Sequence, residues 1–207
     1  MPPAQAAALI LLPSFITNVW QSTGKGFVAL LTRLALMLVG ICGGAWFGAG
    51  ILTGADASRA RTTLGVTLVI YALFGLSRIE FNLRRSAERW LAIPVGLATG
   101  AMSAATGVFV IPSGPYLQAI GLKKDELVQA LGMTYTVATL ALGVTLAHGG
   151  FVQPSLLWPS VLALVAALAG MALGQLVRSR INETTFRVVF FGGLLLLGAE
   201  LVWRGVR

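Results

Sequence analysis

Apolar residues in this chain come in long runs bounded by charges, and the runs predict its elements. Six of them, near residues 4–20, 34–53, 62–77, 127–147, 153–176 and 188–203, match or approach the length that crosses a hydrocarbon core about 30 Å thick. A seventh is too long. From Trp90 to Leu122 the chain carries no charge over 33 residues, and one straight helix of that length would measure about 50 Å at about 1.5 Å per residue. Its centre, GLATGAMSAATGVFVIPSGPYLQAIG (residues 96–121), holds five glycines and two prolines. Breaks at Thr106-Gly107 and at Pro112-Ser113-Gly114-Pro115 would divide it into two half-helices, each reaching about the midplane and returning. The pattern therefore predicts an all-α integral membrane protein of about seven helical elements in two related repeats, with one element (90–122) broken and re-entrant.

Composition agrees with a lipid solvent. The chain is 57% hydrophobic and 11% charged, against about 25% charged in soluble domains, and its mean hydropathy is +0.85. At 207 residues it is one integral domain. The net charge of +8 lies in the loops, where it reads as topology information and contact with anionic lipid. Nucleic acid is not an expected partner. Cys42, the single cysteine, can form no internal disulfide. The opening MPPAQAAALILLPSF lacks a basic leader and is expected to be the first span rather than a cleaved signal peptide.

The basic residues test the hairpin. If 90–122 crosses once, seven Lys and Arg fall on one side and eight on the other, which carries no orientation signal. If it re-enters, Lys25, Arg33, Arg78, Arg84, Arg85, Arg89, Lys123, Lys124, Arg178, Arg180 and Arg187 share one side, against Arg59, Arg61, Arg204 and Arg207 on the other. The positive-inside rule then places the larger group in the cytoplasm.

The chain also repeats at an offset of 126, which carries Arg61 onto Arg187 and Gly44 and Gly48 of GGAWFGAG onto Gly170 and Gly174 of AGMALGQL. Each copy is a small-xxx-small helix, a basic turn and another span, preceded by a span with hydroxyls, ALILLPSFITN from Ala8 or ALGMTYTVATL from Ala130. Three crossings per unit make two units antiparallel, the inverted-repeat design of many carriers. Close helix packing is the alternative role of the small residues. The expected division is an incomplete first repeat of three spans over 1–77, a basic cytoplasmic loop over 78–89, and a second repeat of hairpin plus three spans over 90–207.

The segment GLATGAMSAATGVFVIPSGPYLQAIGLKKDELVQALGMTYTVATLALG resembles the second-repeat signature of the sulfite exporter TauE/SafE family, and LILLPSFITNVWQ (residues 9–21) resembles the second helix of that family's first repeat, with its proline and Asn-x-x-Gln pattern. The resemblance covers nearly the whole chain. It implies a polytopic bacterial inner-membrane carrier of about eight helical elements, associated with sulfite, organosulfonates and related small anions. Two departures stand out: the family's glycine-rich first element has no counterpart ahead of residue 9, and the glycine cluster at the break is reduced to Thr106-Gly107-Val108-Phe109. A truncated start, a genuine short variant and a chain that has lost transport would all read this way.

A small oxyanion in a low-dielectric site needs hydrogen-bond donors. Pro112, Ser113, Gly114, Pro115 and Tyr116 read as a helix start, with Ser113 or Gly114 as cap and glycine allowing close backbone approach. Ser103, Thr106 and Gly107 at the break and Thr134, Tyr135 and Thr136 on the following span are the further candidates, with Asn18 and Gln21 in the comparable helix of the first repeat. The competing reading is that these hydroxyls bond back to carbonyls one turn earlier and only shape and pack helices. No charged residue falls in the middle of a span, so a proton relay finds no carboxylate. Arg33, ahead of the uncharged run Leu34–Leu52, is expected to snorkel to the surface. Glu200 and Arg204 suit an interfacial i, i+4 pair. His148 has no second His and no Cys beside it, and no nucleophile-base pair or cofactor fingerprint is present, so no metal, cofactor or enzyme activity is expected. Expected partners are a small inorganic or organic anion and the bilayer, with a homo-oligomer left open. Two functions fit: a secondary anion carrier, or a non-transporting membrane protein such as a degenerate carrier or accessory subunit.

Overall fold

The computed structural model describes residues 3–53, 57–77, 83–178 and 183–206. Among them are eight α-helices: α1 (Pro3–Ser22), α2 (Phe27–Thr53), α3 (Ala57–Leu76), α4 (Arg85–Thr106), α5 (Ser113–Ala119), α6 (Lys124–His148), α7 (Leu157–Arg178) and α8 (Glu183–Val206), with a 3-10 turn at Pro154–Leu156. No strand occurs among the described residues. In lipid the backbone must bond to itself, so apolar runs bounded by charges become helices.

Each of the six ordinary spans is a helix, longer at one or both ends than its uncharged run. α2 begins at Phe27, seven residues before the expected 34, because Thr32 and Arg33 continue the helix. Likewise residues 85–89, expected in the basic loop, form the first turn of α4. Arg and Glu are good helix formers, so a charge marks the membrane surface without ending the helix. Arg78, Arg180 and Arg207 of the charge tally lie outside the described residues.

Contacts between glycines and backbones set the helix directions. A Cβ on Gly40 would lie 2.8 Å from the Ile93 carbonyl, while one on Gly44 or Gly48 would overlap the Leu97 or Ala101 carbonyl. Positions rise together along both helices. α2 and α4 are therefore parallel and in near-backbone contact, which only residues without a side chain permit. α1 and α6 are antiparallel: Gln129 Nε2 donates to the Ser22 carbonyl (3.0 Å), whereas Ala4, Ala7 and Ala8 pack with Leu142 and Leu146. α3 and α8 are antiparallel too, with Gly65 against Gly198 and Gly75 against the Phe191 ring.

These directions gather Lys25, Arg84, Arg85, Arg89 and Lys123 at one end of the molecule, called here the basic end. All five tryptophans sit near helix ends and are 64–85% exposed, Trp20 and Trp90 toward the basic end and Trp46, Trp158 and Trp203 toward the other. Two such belts are what a bilayer selects, because the indole ring is stable at the boundary between hydrocarbon and water. The offset of 126 carries α1 onto α6, α2 onto α7 and α3 onto α8, and each helix runs opposite to its counterpart.

Candidate functional site

The uncharged stretch 90–122 breaks where glycine and proline require it. Gly107, at φ 74°, closes α4 in the left-handed region and donates its N–H to the Ser103 carbonyl (2.8 Å). Residues 107–112 are not helical, and the Ile111-Pro112 peptide bond is cis. α5 then runs for only seven residues. The arms are thus unequal rather than two half-helices meeting at the midplane. α4, with 22 residues, rises about 33 Å; the return is six non-helical residues, reaching at most about 20 Å, and about 10 Å of α5. Ile111, the residue before Pro112, is biased away from helical angles, and the helix resumes only at Ser113.

The chain nevertheless comes back to the end it left. Leu83, just before α4, donates its N–H to the Ala119 carbonyl at the end of α5 (2.8 Å). Arg33 of α2 binds Glu88 through two hydrogen bonds of 2.7 and 2.8 Å and also donates to the Ile120 carbonyl (3.0 Å). The Tyr116 hydroxyl donates to the Glu88 carbonyl (2.9 Å). Four contacts from three helices tie the base of the hairpin together. Arg33 does not simply snorkel, as expected of it: a bidentate carboxylate fixes it, with the Glu88 side chain only 9% exposed. Glu88 went unnoticed in the sequence because its partner is 55 residues away and no local pattern links them. The one available signal was an arginine inside a helix that needs an acid at the same end.

Most of the hydroxyls singled out in the sequence bond within their own segment. Ser103 donates to the Gly100 carbonyl (2.8 Å), Thr106 to Met102 (2.7 Å), Ser113 to Phe109 (2.7 Å) and Thr136 to Gly132 (2.7 Å). Thr106 also accepts the Val108 N–H (3.2 Å), which shapes the turn after α4. Gly114 donates its N–H to the Val110 carbonyl (2.7 Å), and Pro112 precedes α5 as its cap. Tyr135 lays its ring against Phe109 of the non-helical arm, centroids 6.1 Å apart, and so holds that arm on α6.

Thr134 differs. Its hydroxyl is fully buried and has no hydrogen-bond partner, and only Thr99 of α4, which sequence reasoning missed, shares that condition among the described residues. A buried hydroxyl without a partner is destabilising by about 1–3 kcal/mol. Asn18 lies apart from the hairpin, donating to Thr139 Oγ1 (3.4 Å) across the α1–α6 interface, and Gln21 is half-buried near the end of α1 beside Gly132. Of the α6 candidates, Tyr135 touches the return arm, Thr136 bonds to the carbonyl of Gly132, which packs on α1, and the α1 pair lies on that neighbouring interface. Glu200 and Arg204 form the expected i, i+4 ion pair.

A bundle of antiparallel-related helices with a polar hairpin entering and leaving at one end defines a multi-pass membrane protein of the class that includes many secondary carriers. A profile of the sulfite exporter TauE/SafE family matches residues 1–201, and the chain belongs to that family. The family is one of membrane transporters rather than enzymes. No curated protein and no solved structure matches the chain.

Proposed function

We propose that this protein is a secondary transporter of a small oxyanion, sulfite or an organosulfonate, in a bacterial inner membrane with its basic end in the cytoplasm. Family membership supports the substrate class, and the eleven-to-four division of basic residues supports the orientation. On this reading the two three-helix units act as inverted repeats, and the site is drawn from Ser103, Thr106, Gly107, Pro112, Ser113, Gly114, Tyr116, Thr134, Tyr135 and Thr136, with Asn18 and Gln21 on the first unit.

The observation that carries the reading is the orphan hydroxyl of Thr134. An oxyanion is recognised by donors, and the back-bonded hydroxyls of Ser103, Ser113 and Thr136 already direct their protons at carbonyls. Thr134 and Thr99 hold theirs uncommitted. Each can turn toward a passing anion without breaking a bond, which is the arrangement a carrier needs to bind and release.

Flux of sulfite and of an organosulfonate into liposomes, at equal protein incorporation, tests this. Thr134→Val removes the donor at nearly constant volume and should lower uptake about tenfold, the equivalent of one hydrogen bond to a charged group. Thermal stability should hold or rise, because valine removes a buried hydroxyl that has no partner. Thr136→Val should lower uptake far less. If wild-type protein moves neither anion, or if well-folded Thr134→Val transports normally, the non-transporting reading takes its place.

A further inference from the structure

The basic end holds a cavity that shares only Tyr116 with the proposed anion site. Between the first turns of α2 and α4 lies a cavity of about 550 Å³, bounded by Arg33, Leu36, Arg85, Glu88, Arg89 and Tyr116. Arg33 and Glu88 neutralise each other. Arg85 and Arg89, four residues apart on one face of α4, are exposed and make no ion pair among the described residues. The cavity therefore has two uncommitted guanidinium groups at its mouth.

Its other wall is apolar. Leu36 lies one turn deeper along α2 than Arg33 and is 41% exposed, and Ala35 and Ala92 line the cavity at the same depth. Trp90, 85% exposed, follows Arg89 directly and marks the boundary between water and hydrocarbon. Charge at the boundary and open apolar surface beneath it match one chemistry: a phosphate diester carrying acyl chains. A free oxyanion would use the arginines alone and gain nothing from Leu36.

We propose that this cavity is a binding site for an anionic phospholipid, with Arg85 and Arg89 on the phosphate and the acyl chains along Leu36. Two guanidinium groups one helical turn apart at a cavity mouth can each donate charge-assisted hydrogen bonds to a phosphate. The Arg33–Glu88 pair also lines the cavity and ties its two walls, α2 and α4, together. Because the site lies at the surface and not at the hairpin break, its occupancy does not depend on which anion is carried, or on whether one is.

The test uses full-length protein, delipidated in detergent, with phosphatidylglycerol, phosphatidylcholine or inorganic phosphate added back, and reads bound lipid by native mass spectrometry and the thermal midpoint. Wild-type protein should retain phosphatidylglycerol and gain stability from it, and phosphatidylcholine should do neither. Arg85→Gln with Arg89→Gln should weaken phosphatidylglycerol binding about tenfold or more. Arg84→Gln, one position outside the cavity, should leave it intact, which separates a site from general charge attraction. Equal binding of both lipids, or an unchanged affinity in the well-folded double variant, would overturn the proposal. So would inorganic phosphate reproducing the full stabilisation, since that would make the cavity a free-oxyanion site.

Discussion

α2 and α7 share a small-residue pattern at a distance of 126 residues, yet their surroundings differ: Leu34, Met37, Ile41 and Ala45 of α2 are buried, whereas in Pro154–Leu173 only Ser160 is. On α2, Gly44 and Gly48 meet the backbone of α4. On α7, the counterpart Gly170 has nothing within 4 Å. The same residues are thus a packing surface in one place and open surface in the other. Small residues permit close approach; they do not cause it. What closes α2 on α4 is the rest of the interface, with Gly96 and Gly100 of α4 receiving the Met37 and Ile41 carbonyls and Arg33 locking the base.

The largest effect should come from filling that contact. Gly44→Leu would drive a side chain into the Leu97 carbonyl and should be destabilising by more than about 3 kcal/mol, seen as loss of monodisperse protein or a collapsed thermal midpoint. Gly170→Leu, its counterpart, should change stability by less than about 0.5 kcal/mol. Equal damage at both positions would show that α7 has a partner in the membrane.

Next comes the base of the hairpin. Glu88→Gln leaves Arg33 without its carboxylate, and because Arg33 is a third exposed the loss should be about 1–3 kcal/mol, between the values for surface and buried pairs. Hydrogen exchange should rise in residues 113–120 and stay level in α7 and α8. The smallest effect belongs to Tyr116→Phe, which removes one hydrogen bond to the Glu88 carbonyl and should lower stability by about 1 kcal/mol. If it exceeds Glu88→Gln, the hydroxyl rather than the ion pair holds the return arm.

Much of the hairpin was legible in advance, because its breaks are written in residues with restricted or unusual backbone angles. Gly107 and Pro112 end and restart the helix at the expected positions, whatever surrounds them. The lengths of the arms were less legible. A count of uncharged residues starts α4 at Trp90, whereas helix propensity carries it back to Arg85. The candidate hydroxyls could be identified but not ranked, since Thr134 and Thr136 look alike in sequence. They differ only in which face of α6 they occupy and which carbonyl stands one turn earlier.

Sequence by itself determined the solvent, the all-helical class, the breaks at Gly107 and Pro112, and the return of the hairpin to the end that it left. Those follow from local quantities: hydropathy per residue, backbone angles allowed to glycine and proline, and the sign of loop charges. Tertiary structure alone decided that Arg33 meets Glu88, that Gly44 rather than its counterpart Gly170 is covered, and that Thr134 and Thr99 keep hydroxyls without a partner. Each of those depends on which helix lies beside which, at what rotation. Within a membrane nearly every apolar face is an acceptable surface, so hydrophobicity that places a helix in the bilayer cannot choose its neighbour; close backbone contact and a few buried polar bonds make that choice.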